Sequence, residues 1–344
     1  MLKKFFISLF YCMFFLSLAS CSKPAAEQQQ PPAEQTAPAQ KSPLKIDVVS
    51  FEDDNKDDTY VTEYITVMKS LLAENGIIEN QDYTVRMNSA QSEMSNIPAL
   101  IDLAKNDKAG LLITFHAPVL YNAIQKAPEL KKVFAIVSNP FVLGGGKSDT
   151  DHLPNLCGMY FKSPIDGLLD LIKEASPKIK KIGVVFTIGE DESVAYKDEL
   201  ANIAKSKHIE IVSQGYATMN EIVDAVNSLI TKKIDALIHI PDANDERTLV
   251  VLSKLSETKK IPMFGLIGDP NLKAVISYSA GGKEVKQRFA SIVLRVLKGE
   301  DINSMPFDNT ETIQKRIKID KKTAKNIGFK IPDSIMKKAD QIIE

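Results

Sequence analysis

The chain is poor in cysteine, in paired histidines and in net charge, and each shortage narrows what it can be. Its 344 residues hold three cysteines, Cys12, Cys21 and Cys157. Two of them lie within or at the end of an N-terminal leader, so Cys157 alone is left to the mature chain. That excludes an intramolecular disulfide and a cysteine-rich metal framework. The formal net charge is −1, and no basic patch suited to neutralising phosphates is present, which argues against nucleic acid. His152, His208 and His239 lack the paired spacing of metal ligands. There is no Gly-x-Ser-x-Gly elbow and no Cys–His constellation. Gly144-Gly145-Gly146-Lys147-Ser148 fails as a phosphate loop, because Phe141 stands where the first glycine belongs. It reads as a turn. The acidic run Glu52-Asp53-Asp54 with Asp57 and Asp58 lacks the glycine and closing glutamate of a calcium loop. The expectation is therefore no catalytic residue, no metal, no cofactor and no enzyme.

Long apolar runs are also missing, with one exception at the start. Lys3 and Lys4 precede an apolar run from Phe5 to Leu18, followed by Leu18-Ala19-Ser20-Cys21. Charge, apolar core and small-residue exit make a secretory signal, and the closing cysteine resembles a bacterial lipobox. Cys21 is then expected to be the first mature residue, carrying acyl chains (palmitate among them) on its thiol and amine. A plain signal with a chance cysteine, or an uncleaved anchor, shares the same charge and apolarity. The run is short for a spanning helix, which needs about 20 residues. Loss of Lys3 and Lys4 takes the formal net charge from −1 to −3. The chain is thus expected on the extracytoplasmic side of a bacterial cell membrane, attached to the bilayer through Cys21, and Ser22 is compatible with an outer membrane.

Residues 22–44, rich in Pro, Gln and Ala, have almost nothing to bury and read as a disordered tether. From Lys45 onward short apolar runs alternate with helical periods. Strands are predicted at 46–51, 83–87, 111–115 and 133–137, with helices over 61–72 and 97–104. The theme then restarts, with strands at 182–186, 209–213, 235–240 and 263–266 and helices over 193–205, 220–230 and 245–256. Fully apolar strands alternating with helices make a parallel sheet covered on both faces. Two such series predict an α/β protein of two similar Rossmann-like lobes joined by a hinge. A last strand at 275–278 and a long amphipathic helix over 284–297 are expected to cross back. The predicted division is a signal over 1–20, lipidated cysteine and linker over 21–44, lobe 1 over 45–160 with 281–303, and lobe 2 over 161–280 with 304–344.

In open parallel sheets ligands bind beyond the carboxyl ends of the strands, so the cleft between two facing sheets is the default site. Phe51 and Glu52 end the first strand. Thr114, as a donor, and Phe115, as a stacking wall, end the third, followed by His116. Asn139 and Asn244 lie just past strand ends and can both donate and accept. Glu192 and Ser193 open the helix after the first strand of lobe 2, where free N–H groups attract anions. Tyr278 ends the crossover strand, and Phe186 offers a further apolar wall. For each there is a plainer structural reading: Ser193 as a helix cap, Thr114 as a cap, Phe115 as core, the asparagines as turn residues, and the acids as a solvated face.

Several segments, in order, carry a family resemblance. Pro177 to Ser193 resembles P-x-x-K-x-I-G-V-x-Y-N-P-x-E-x-N-S. Val133 to Pro140 resembles V-F-x-x-V-x-D-P, Asn155 to Gly158 resembles N-x-x-G, and Ile261 to Phe264 resembles I-P-V-F. Leu100 to Ala117 and Ala324 to Pro332 with Ala339-Asp340 match further elements. Together they resemble the substrate-binding lipoproteins of ABC transporters, some of which bind tryptophan or tyrosine, over nearly all of Lys45 to Glu344. The resemblance implies a periplasmic-binding-protein fold of the first type. It also implies a monomer that closes on a small polar or aromatic ligand, an amino acid or a relative of one, and hands it to a membrane permease. A ligand-sensing or interaction lipoprotein of the same fold, with no permease, is the alternative. The departures are specific. Glu192 replaces an asparagine, Asn139 an aspartate and Ala243 an aspartate beside the retained Asn244, while Gly281-Gly282-Lys283 replaces Asp-Tyr-Tyr.

Overall fold

A computed structural model describes residues 42–51, 60–241, 245–267 and 272–344, the last four-fifths of the chain with three short loops omitted. The leader, Cys21, the tether as far as Lys41, the acidic loop with Glu52, and Ala243 and Asn244 lie outside the described residues.

In chain order the first lobe begins with β1 (Leu44–Ser50), α1 (Tyr60–Glu74), β2 (Tyr83–Ser89), α2 (Ile97–Asn106), β3 (Leu111–Phe115), α3 (Ala117–Lys126), β4 (Lys132–Ala135) and β5 (Leu156–Tyr160). The second follows with α4 (Ile165–Ala175), β6 (Lys181–Thr187), α5 (Asp191–Ser206), β7 (Glu210–Tyr216), α6 (Ile222–Thr231), β8 (Ala236–His239), α7 (Asp245–Lys259), β9 (Met263–Gly265) and β10 (Ile276–Ala280). Then come α8 (Gly282–Leu297), β11 (Asp308–Asn309), β12 (Lys315–Asp320), α9 (Lys321–Ile327), α10 (Asp333–Met336) and β13 (Gln341–Ile343).

Two sheets result, in the orders β11-β5-β4-β3-β1-β2 and β13-β12-β10-β9-β8-β6-β7. The first is parallel throughout. The second is parallel except where β12 runs against β10, Tyr278 facing Ile317. The two-lobed α/β architecture expected from the alternating pattern is present, with that one antiparallel join as a departure. Strand β1 also starts at Leu44, the residue assigned to the end of the tether.

Helix α8 packs on α1, and Phe289 meets Tyr64 and Phe115 at ring-centroid distances of 5.4 Å each. Tyr64 and Phe115 lie edge-on at 5.5 Å. All three rings are buried in the lobe 1 core. Such contacts exceed simple area burial by about 0.5–1.5 kcal/mol per pair. The excursion runs longer than the sequence pattern indicates. Strand β11 joins β5 in the lobe 1 sheet, and Met305 and Ile313 belong to the lobe 1 core. The return to lobe 2 comes only at β12. A two-residue strand gives no readable period, so the sequence pattern places 304–313 with lobe 2. Strand β5 carries Cys157, whose thiol burial pushes up to about 12.

Three segments connect the lobes, at 161–164, 280–281 and 310–314, and they brace one another. Thr310 Oγ1 accepts from the Lys162 amide at 3.0 Å and donates to the Lys162 carbonyl at 3.1 Å. Lys315 Nζ donates to the carbonyls of Thr310, Glu311 and Ile313 at 2.7, 2.9 and 2.7 Å. Glu284 pairs with Arg316 at 2.7 Å. A side chain at Gly281 would run into Glu284 and Arg316, so this ion pair fills the space where the resembling family has an aspartate.

Candidate functional site

The C-terminal ends of the two sheets face each other, and the contact between them is specific. The Glu192 carboxylate, on the first turn of α5 in lobe 2, accepts from the backbone N–H groups of Ser138 and Asn139 in the loop after β4 of lobe 1. Two amides on one carboxylate oxygen make a charge-assisted contact, stronger than a neutral hydrogen bond. All three residues are half-buried. The Asn139 side chain turns the other way. Its Oδ1 accepts from the amides of Phe141 and Val142 at 3.1 and 3.3 Å, fixing the turn that presents the two donors.

Backbone strain gathers at the same edge. His116 has φ 74° and ψ 150° as it enters α3, a region in which L residues are rare. Ile136, directly after β4, has φ 56°, an outlier for a β-branched side chain. Both sit where strands of lobe 1 run out toward lobe 2. Strain held in place by surrounding structure at a strand end is a recurrent mark of a working site.

On the lobe 2 side, Ser193 is fully buried and its Oγ accepts from the Thr187 amide at 3.0 Å. The hydroxyl thereby ties the start of α5 to the end of β6. Beside it Thr187 Oγ1 donates to Tyr216 Oη at 2.8 Å, and Tyr216 Oη lies 3.2 Å from Thr248 Oγ1. These three buried hydroxyls link the ends of β6 and β7 to α7. His239 ends β8 and is also buried. Phe186 carries Lys197 Nζ 5.1 Å above its ring.

The residues singled out from sequence therefore separate into groups. Asn139, Glu192 and Ser193 come together at the lobe junction. Phe51 and Phe115 do not line a wall there. Phe51 is buried with Val49, Ala90 and Ile97, and Phe115 is buried against Tyr64 and Phe289. Successive residues of a strand face opposite sides of the sheet, so a position near the strand end does not aim a ring at the cleft. Thr114 is fully buried, and among the described residues its Oγ1 has no hydrogen-bond partner. Tyr278 packs over Gly167 of α4, where a Cβ would strike its ring, and it is half-buried against the lobe 2 core. Glu52 and Asn244 fall outside the described residues. Sequence reasoning missed Ser138, Thr187, Tyr216 and Thr248. Only the strand-end positions of Thr187 and Tyr216 were available as a signal, and the Ser138 contribution is a backbone amide.

Among the described residues no cluster of His, Cys, Asp or Glu is arranged to hold a metal ion, and no helix is long and apolar enough to cross a membrane.

Comparison with known proteins gives a consistent match. A family model described as ABC transporter substrate binding protein matches residues 56–343. The chain is 26% identical over 277 residues to the tyrosine-binding protein of Clostridioides difficile (strain R20291), covering 78% of this chain and 80% of that one. Among solved structures it resembles an ABC domain in complex with L-Trp from Streptococcus pneumonia, with a TM-score of 0.74 at 20% identity, covering 87% of this chain and 100% of that one. It also resembles the ligand-free, open structure of a substrate-binding protein with adhesive properties from Clostridium difficile. There the TM-score is 0.66 at 21% identity, over 87% and 99% of the two chains.

Proposed function

Because this chain belongs to the ABC transporter substrate-binding protein family, we propose that it captures an aromatic amino acid between its lobes and delivers it to a membrane permease. It is a binding protein and not an enzyme. The ligand class rests on the tyrosine-binding relative and the L-Trp complex. The observation that carries the site is the meeting of Glu192 with the amides of Ser138 and Asn139. It lies at the C-terminal ends of both sheets, where open parallel sheets take their ligands.

Capture is a population shift. A ligand touching both lobes binds the closed form better than the open one and draws the protein toward it. The three braced connections act as the hinge, and the closed form docks on the permease. Glu192 and the loop that offers the Ser138 and Asn139 amides form the described part of the ligand wall, with Ser193 and Thr187 bracing the helix start behind it. Lipid on Cys21 holds the mature chain at the membrane.

A thermal-shift panel of amino acids, nucleosides, sugars and small peptides tests the ligand class. A ligand at about 100 times its dissociation constant adds about 2.7 kcal/mol, a readable shift. Shifts confined to aromatic amino acids support the reading, whereas a response to sugars or nucleosides alone removes it. The anchor is tested by labelling cells with an alkyne palmitate analogue. Label lost in Cys21→Ser supports the lipid, and label retained contradicts it.

A further inference from the structure

The C-terminal segment carries a charge that the rest of the chain does not share. Over the whole chain 43 lysines and arginines stand against 44 aspartates and glutamates. Residues 315–344 alone hold nine of those bases and four of those acids. Five of the nine are committed within the fold. Lys315 serves the hinge carbonyls, Arg316 pairs with Glu284, and Lys318 is buried. Lys321 pairs with Glu344 at 2.5 Å, and Lys338 with Glu174 at 2.7 Å. The acids are largely committed too. Asp320 caps α9 by accepting from the Thr323 amide at 2.7 Å, and Asp340 accepts from the Ile317 amide at 2.8 Å. Asp333 sits in the first turn of α10. Lys322, Lys325, Lys330 and Lys337 remain, all exposed and with no carboxylate at ion-pair distance among the described residues.

The same segment forms a groove of about 600 Å³. Phe329, Ile331 and Met336 supply its apolar floor, and Lys321, Lys322 and Lys325 of α9 its rim, with Glu344. Lys322 and Lys325 are three residues apart and share one helix face. Lys330 stands between two floor residues, and Lys337 follows the third. The place is remote from the cleft. Strand β12 runs against β10, so its end at Asp320 lies beside Ile276, where β10 starts. The cleft lies at the opposite ends of the parallel strands, so these four charges take no part in ligand capture.

Unpaired lysines beside an apolar floor match a surface that is anionic outside and apolar beneath, the chemistry of a phospholipid headgroup layer. The negative net charge of the whole chain does not oppose this, because exposed charges more than about 8 Å away are screened at physiological salt. The reach is sufficient. Between Cys21 and β1 stand residues 22–43, about 75 Å of chain at full extension. A compact body of this size is about 50 Å across, so a chain fixed at Cys21 can bring this pole to the same bilayer.

We propose that Lys322, Lys325, Lys330 and Lys337, with the groove floored by Phe329, Ile331 and Met336, dock lobe 2 on the anionic phospholipid surface to which the chain is tethered. The cleft is thereby kept clear of the bilayer. The setting rests on the reading that Cys21 holds the chain at a membrane, and the lipid contact is tested apart from it.

The test is cosedimentation of the full mature chain, residues 21–344, with vesicles. Cys21→Ser is included throughout, so that no acyl chain contributes. Vesicles of phosphatidylglycerol mixed equally with phosphatidylcholine are expected to bind the protein, less as salt is raised, and vesicles of phosphatidylcholine alone are expected not to. Lys322→Gln, Lys325→Gln, Lys330→Gln and Lys337→Gln combined are expected to lower affinity for the mixed vesicles about a hundredfold or more, since each lysine near an anionic surface is worth roughly fivefold. Lys108→Gln, Lys131→Gln, Lys147→Gln and Lys298→Gln combined remove the same charge from exposed sites on lobe 1. This control is expected to stay within about threefold of the parent. Thermal unfolding of both variants is expected to match the parent, as exposed substitutions usually do.

Absence of binding to the mixed vesicles, undiminished binding by the groove variant, or an equal loss in the lobe 1 control overturns the proposal. Displacement by soluble glycerophosphoglycerol, at a concentration equal to that of the lipid phosphate, assigns the groove to a free anion and also overturns it. Vesicle binding that stands while Cys21 proves unlabelled in cells supports the docking face and removes only the tether.

Discussion

Ser193 Oγ receives the Thr187 amide at 3.0 Å, so one fully buried hydroxyl fastens the first turn of α5 to the last residue of β6. The helix start that carries Glu192 is held by this bond. Ser193→Ala leaves a buried N–H unpaired, a cost of about 1–3 kcal/mol. Chemical denaturation is expected to show that loss together with weaker ligand binding. A stability equal to that of the parent contradicts the bracing role.

Phe289 measures how firmly the returning helix is joined to lobe 1. Its ring touches both Tyr64 and Phe115. Phe289→Ala is expected to cost about 3–5 kcal/mol, the range for truncating a buried aromatic. Hydrogen exchange is expected to quicken in α1 and β3 more than in β6 and β7. Uniform quickening across both lobes speaks against the crossing-back arrangement.

Thr114 offers the opposite test. Its hydroxyl is buried without a partner among the described residues, and such a group is costly until it is bonded. Thr114→Val keeps the shape and removes the polar atom. We expect equal or higher stability, by about 1 kcal/mol at most, and unchanged ligand affinity. A loss of affinity returns Thr114 to the ligand wall.

Lys132 gives a pH dependence with a definite sign. It is almost fully buried, and its Nζ donates to the carbonyls of Ala127, Pro128 and Leu130. Burial lowers it to about 8 in the folded chain, against about 10.4 when unfolded. Between these values the unfolded chain holds more protons, so this group makes stability rise as pH rises; below about 8 it contributes no slope. The full gain is about 3 kcal/mol. Lys132→Met is expected to remove it. Denaturation midpoints at pH 7.5 and 10, compared between parent and variant, check the difference, and an equal pH response in both contradicts it.

Much of the scaffold was legible because it rests on continuous apolar runs. The apolar run Leu111 to Phe115 coincides with β3, and the amphipathic period over 284–297 lies within α8. What failed was short or relational. Strand β11 is two residues long and has no period. Phe115 and Thr114 face opposite sides of one strand, and neither orientation follows from standing at its end. Tyr278 has a place because Gly167, 111 residues earlier, leaves room for its ring. The junction itself was half legible. Glu192 was visible as a departure from a resembling pattern, but its partners are backbone amides, which no residue-type reading can single out.

The central claim is capture of an aromatic amino acid, and isothermal titration of the mature chain with L-tyrosine and L-tryptophan tests it most directly. The account predicts one site per chain with affinity near micromolar, about −8 kcal/mol, and a negative heat-capacity change as apolar surface is buried. Absence of binding by both amino acids, in protein unfolded and refolded to remove any resident ligand, would contradict it.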